Sequence, residues 1–126
     1  MILDACVVIA ALDAGDPHHT AAAALLAEPG ALRIHEVNLG EALVAAANAG
    51  LLDQVRRDLA DAGIEEVHGP GHSLARIRAE TRLRMPDCCV LLAAESTGDD
   101  TIATFDHRLA SVALRRGLRV LPAGDT

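Results

Sequence analysis

The 126-residue chain contains no lysine, no tryptophan and no tyrosine, and Phe105 is its one aromatic residue. A core drawn from such a composition packs small aliphatic side chains, and base stacking on aromatic platforms, one common hold on single-stranded nucleic acid, is not available. Cysteine is scarce. Cys6, Cys88 and Cys89 lie in apolar runs, two of them are neighbours, and together they make no disulfide framework. They read as buried free thiols of a reducing compartment. There is no C-x2-C pair, and His68-Gly69-Pro70-Gly71-His72 puts helix breakers between its histidines, so a structural zinc site is not expected. No apolar run approaches the ~18 residues of a membrane span. The N-terminus lacks a basic segment, apolar run and cleavage site in the order of a signal peptide. These absences point to the cytoplasm. A G-x-S-x-G elbow, a P-loop and a G-x-G-x-x-G turn are missing as well, which removes the commonest nucleophile and nucleotide motifs.

What is present suits one compact domain over residues 1–126, with 51% apolar residues, mostly Ala, Leu and Val. The net charge of −7 argues against simple adhesion to a phosphate backbone. The charge is uneven: residues 1–69 hold three Arg and eleven acids, or −8, whereas residues 70–119 hold eight Arg and six acids, or +2.

Along the chain, short apolar runs alternate with helical segments. Met1–Leu3 reads as a strand, followed by Asp4 and a helix from Cys6 to Leu12. Asp16-Pro17 is a good helix start, ahead of the Ala-rich segment His18–Ala27. Leu32–Val37 is a second strand, and Asn38-Leu39-Gly40-Glu41 matches a capping box opening the next helix, which runs to Gly50. A helix over Leu52–Ala62, a strand over Ile64–His68, a Gly-Pro-Gly turn and a helix from Ser73 to about Arg82 follow. From Cys88 to Ala94 every residue is apolar, so the helix Pro86–Ser96 is expected to be buried on all sides. Thr101–Thr104, a helix Asp106–Arg116, Leu118–Leu121 and a tail of residues 122–126 complete the chain. This rhythm predicts an α/β fold, a central parallel sheet of about five strands flanked by helices on both faces.

In such sheets the working groups gather at the carboxyl ends of the strands. Asp4 follows strand one, Glu41 lies in the first turn after strand two, Asp87 starts the buried helix and Asp106 follows strand four. One reading is that each acid caps its helix. The other is that the four converge, where their mutual repulsion calls for a hard divalent cation such as Mg2+ or Mn2+, suited to phosphoryl chemistry. Receiver domains and haloacid-dehalogenase-type phosphatases also cluster acids at strand ends, but both use a lysine, and the latter want D-x-D where this chain has Asp4-Ala5-Cys6.

Four blocks, Ile2-Leu3-Asp4-Ala5-Cys6-Val7-Val8-Ile9, Asn38-Leu39-Gly40-Glu41-Ala42-Leu43, Met85-Pro86-Asp87 through Ala94, and Thr101-Ile102-Ala103-Thr104-Phe105-Asp106, stand in the order and rough spacing of PIN-domain proteins. Over nearly its whole length the chain resembles the VapC-type toxins of bacterial toxin–antitoxin pairs. The resemblance implies a PIN fold and a metal-dependent endoribonuclease. In it Asp4, Glu41, Asp87 and Asp106 bind Mg2+ or Mn2+ and a metal-bound water attacks an RNA phosphodiester. It also implies a VapB-type antitoxin partner and a homodimer. The chain departs from the family at Cys6, where a small hydroxyl or amide residue is usual, and a catalytically silent RNA-binding or protein-interaction domain of the same fold is the alternative. Thr104 reads either as a helper at the site or as strand filler, and His107 either as an RNA contact or, the preferred reading, as a solvated surface residue. Arg76, Arg78, Arg82 and Arg84 read equally as phosphate contacts or as a solvated helix face, and Glu36 either as an extra acid near the site or, the preferred reading, as a solvent-facing strand residue. The Ala/Leu helices at 20–27 and 42–52 offer an antitoxin groove, core or dimer surface.

Overall fold

A computed structural model describes residues 1–123; of the expected tail, residues 124–126 lie outside the described residues. Strand β1 (Ile2–Leu3) is followed by helices α1 (Ala5–Leu12) and α2 (His19–Leu26), then by β2 (Leu32–His35), α3 (Glu36–Asn48), α4 (Leu52–Asp61) and β3 (Ile64–Val67). The second half runs α5 (Gly71–Thr81), α6 (Met85–Thr97), β4 (Thr101–Ala103), α7 (His107–Arg115) and β5 (Arg119–Leu121). The five strands form one sheet in the order β3-β2-β1-β4-β5, and every pairing is parallel. Strand order reverses beside β1. The chain first builds outward through β2 and β3, then crosses back to lay β4 and β5 on the other side. The crevice at such a reversal, beyond the carboxyl ends of the strands, is where open α/β sheets bind ligands.

Side chains of successive strand residues point to opposite faces, and the two faces are covered by different helices. Ile2, Ile102 and Val120 pack with α5, α6 and α7 through Ile77, Leu92, Leu109 and Val112. Leu3, Ala103 and Leu121 pack with α1 to α4 through Val7, Val8, Leu25, Leu43 and Leu59. As expected, α6 is buried all round, with every residue from Asp87 to Ala94 inside. Gly69, between β3 and α5, lies so close to it that a Cβ there would stand 2.6 Å from Cγ of Leu92.

Strand β2 stops at His35, not Val37, because the buried His35 turns its Nδ1 back to accept the Val37 N–H at 3.1 Å and so caps α3. Burial holds this imidazole below its usual pKa, as its acceptor role requires. Helix α3 therefore starts at Glu36, and the Asn38–Glu41 pair is not a capping box: both residues lie inside the helix. Glu36 is correspondingly the first helical residue, paired with His68 at 3.0 Å. Helix α2 likewise starts later than Asp16-Pro17 suggests, because Asp16 uses its carboxylate on the His18 N–H in a local turn.

Candidate active site

The carboxyl ends of β1 and β4 open into a cleft of about 350 Å³ lined by Asp4, Ala5, Cys6, Ile9, Glu41, Arg84, Pro86, Asp87, Phe105 and Asp106. All four sequence-predicted acids are among these residues, and three of them do not cap. Asp4 stands at the N-cap position of α1 yet makes no capping hydrogen bond. Its Oδ2 instead accepts from the Thr104 hydroxyl at 2.7 Å and from the Cys6 thiol at 3.2 Å. Asp87 lies in the first turn of α6, whose N-cap position is Arg84, and makes no capping bond either. Glu41 is in the interior of α3. Asp106 does cap: its Oδ1 accepts from the backbone N–H of Arg108 at 2.8 Å and of Leu109 at 3.2 Å. That leaves its Oδ2 facing the cleft, 3.9 Å from the Arg84 guanidinium.

Thr104 is thereby bound into the acid cluster and is not strand filler alone. It is buried, it donates to Asp4, and it accepts the Asp106 N–H at 3.0 Å, so one hydroxyl registers two acids that stand 102 positions apart in sequence. Cys6 fits the same network. Its thiol donates to Asp4, while its sulfur accepts the Phe105 N–H at 3.5 Å. Burial first, and the Asp4 charge second, push this thiol up to about 12. It is a neutral donor at ordinary pH, the role a hydroxyl would fill, and not a nucleophile.

Asn38 is the residue near the acids that the sequence pattern placed wrongly. It is fully buried, and its Nδ2 donates to Glu41 Oε1 at 3.3 Å and to the carbonyl of Pro86 at 3.0 Å. Both partners are acceptors, so the amide orientation is determined. Its Oδ1 is buried without a partner. One side chain thus ties the acid of α3 to the first turn of α6, one residue before Asp87.

The charge balance of the cleft is lopsided. Four carboxylates face one guanidinium among the lining residues, formally −4 + 1 = −3. Burial pushes the Asp87 carboxyl above its ordinary value; the charges of Asp106 and Asp4 push it the same way, and Arg84 opposes them. Among the described residues no group of three His, Cys, Asp or Glu side chains is arranged to hold an ion as it stands. The chemistry of the donor set nevertheless fits one: hard oxygen donors with an unbalanced negative charge, two of them (Asp4 and Asp87) buried.

The other sequence candidates separate cleanly. Arg76 pairs with Glu80 and Glu95 on the outer surface. Arg78 donates to the carbonyls of Arg82 and Leu83, so its charge is spent inside the turn before α6. Arg84 alone of the four reaches the cleft. His107 is exposed at the start of α7 and does not line the cleft. Phe105 was not expected to serve as a platform, but it does lie at the rim and stacks on the ring of His18, centroids 4.3 Å apart and planes 9° apart. An aromatic pair therefore stands beside the acids.

The fold and the cleft together define a class: parallel α/β domains with an acidic crevice at the strand-order reversal. The chain belongs to the PIN domain family, whose model matches residues 1–115. No curated protein matches the sequence. Among solved structures, VapC20 of Mycobacterium tuberculosis, a toxin that cleaves the sarcin–ricin loop, superposes with a TM-score of 0.71 at 15% identity, covering 88% of this chain and 93% of that one. A toxin–antitoxin complex from Klebsiella pneumoniae gives 0.68 at 20% identity, over 87% and 89%. PAE2754 from Pyrobaculum aerophilum gives 0.57 at 18%, over 92% and 93%.

Proposed function

We propose that the chain is a metal-dependent endoribonuclease acting as the toxin of a VapBC-type pair, with residues 1–126 working as one PIN unit in the cytoplasm. The observation that carries this reading is the gathering of Asp4, Glu41, Asp87 and Asp106 around one crevice with a single guanidinium among them. Three of the four have no capping role to account for them. In this reading the four acids hold Mg2+ or Mn2+, which when bound supplies a polarised phosphate and a water of lowered pKa. The protein's own part is positioning. Thr104 and Cys6 fix one oxygen of Asp4 and leave the other to the cleft. The helix cap holds Asp106 still, and Asn38 holds Glu41. Buried Asp87 gains most from a cation, because its neighbours otherwise raise the cost of its charge.

The substrate in this reading is RNA, and the partners are a VapB-type antitoxin and a second copy of the chain. Ile9 and Leu12 on α1, Val44 on α3, and Leu51 and Leu52 at the start of α4 expose apolar surface that supports a docking partner. Among the described residues no helix is long and apolar enough to cross a membrane.

The test is induced expression in bacterial cells of the wild type and Asp87→Asn, with growth followed and new RNA 5′ ends mapped. Purified protein with Mn2+ and total RNA runs in parallel. Discrete new ends and growth arrest from the wild type alone support the nuclease. Equal behaviour of two folded proteins in both settings moves the catalytically silent binding domain ahead.

A further inference from the structure

The turn between α5 and α6 is built with unusual care for an exposed segment. Arg82 adopts a left-handed conformation at φ 60°, which costs a non-glycine residue energy. Its carbonyl accepts from Arg78 at 2.9 Å and from Arg108 at 3.2 Å, so guanidinium groups of α5 and α7 hold the turn from two sides. Two residues on, this turn delivers Arg84 to the mouth of the cleft. Its guanidinium lies 3.7 Å from Asp87 and 3.9 Å from Asp106. Both distances are too long for hydrogen bonds, and the side chain is 74% exposed. It therefore faces the acids as a loosely held charge. The backbone beneath it is anchored, and the head group is free to move. Arg78 and Arg108 are committed to carbonyls, and Arg76 and Arg116 to surface acids.

We propose that Arg84 is an exchangeable counter-ion: it neutralises Asp87 and Asp106 when no metal is bound, yields that place to a divalent cation, and then turns to a phosphate of the bound RNA. This role rests on the proposed metal-dependent nuclease reading. It follows from the charge count. A −3 cleft repels a phosphodiester, whereas a 2+ ion brings it to −1 and competes with the guanidinium for Asp87 and Asp106, leaving Arg84 on its tethered backbone beside the incoming anion.

The experiment measures Mn2+ binding by calorimetry and steady-state cleavage of a single-stranded RNA, for wild type, Arg84→Gln, Arg84→Lys and Asp87→Asn, with thermal melting of each. Arg84 makes no capping bond, so Arg84→Gln is expected to melt like the wild type. Its Mn2+ affinity is expected to rise about three- to tenfold, as loss of a competing exposed charge allows. The KM for RNA at saturating Mn2+ is expected to rise about fivefold or more, with a smaller change in kcat. Arg84→Lys should stay close to the wild type in Mn2+ affinity. Opposite movement of the two affinities is something a folding defect cannot produce. Unchanged or weaker Mn2+ binding in Arg84→Gln overturns the counter-ion role while leaving the nuclease intact. If the wild type itself binds no Mn2+, or binds it no better than Asp87→Asn, the metal site fails and this role with it.

Discussion

Replacing Asn38 by leucine removes the tether between Glu41 and α6 at nearly constant volume. The side chain is fully buried and makes two hydrogen bonds, to Glu41 at 3.3 Å and to the Pro86 carbonyl at 3.0 Å. Each such bond contributes about 1 kcal/mol net. Against that loss stands the partnerless Oδ1, whose burial costs about 1–3 kcal/mol and disappears with the amide. The two sides nearly cancel, so the stability of Asn38→Leu should lie within about 1 kcal/mol of the wild type, a melting shift of roughly 4 °C or less. The effect on Glu41 does not cancel. A long side chain set free to rotate must be ordered again when it grips an ion, at a cost of up to ~1.5–2 kcal/mol. Mn2+ affinity should therefore fall about tenfold. Calorimetry and melting curves measure the two quantities on the same samples. The decisive comparison is a double-mutant cycle with Glu41→Ala. If Asn38 acts by holding Glu41, then adding Asn38→Leu to Glu41→Ala leaves Mn2+ affinity where Glu41→Ala alone put it. Strictly additive losses would refute the tether.

Three further outcomes can be checked by denaturation. Asp87 sits above its ordinary pKa because of burial and of its acidic neighbours, so the folded state binds its proton more tightly than the unfolded chain. Without metal, wild type should gain stability relative to Asp87→Asn as pH falls from neutrality through that raised value, and Mn2+ should flatten the difference. His35 behaves in the opposite sense: burial holds its pKa below the usual value of about 6.5, so the unfolded chain takes up the proton first. A component of stability should be lost as pH falls below about 6.5, and His35→Asn, which keeps a capping acceptor without titrating, should remove that component in urea titrations across pH 5–8. Gly69→Ala should cost about 1–3 kcal/mol, because the new methyl meets fully buried Leu92 with no room to yield; a melting temperature equal to that of the wild type would contradict this packing.

The fold and the four acids were legible because strand-to-helix alternation and carboxylates at strand ends are local signals. The burial of α6 was legible for the same reason, since an unbroken apolar run needs no partner to be recognised. Asn38 was misread because an i, i+3 polar pair looks identical in a capping box and in a helix interior. What decides between them is where the helix begins, and the buried ring of His35 moved that start to Glu36. The pairing of His18 with Phe105 joins residues 87 positions apart, and no periodicity announces it. The four arginines before α6 looked equivalent because composition carries no geometry. Only the left-handed turn at Arg82 sends Arg84 to the cleft and spends Arg78 on carbonyls.

The placing of β4 beside β1 bears on how the protein comes into being. A ribosome makes Asp4 100 residues before Thr104, the neighbour that gives it a partner. A chain halted before Thr101 can pair β1 with β2 and β2 with β3, yet it keeps a bare strand edge where β4 belongs. It also has no floor to the crevice and only three of the four acids. Strand pairing across about 100 residues is a late event in folding. Synthesis thus times the assembly: the crevice closes only after β4 is made, and a copy halted before it carries three of the acids without the strand that gathers them.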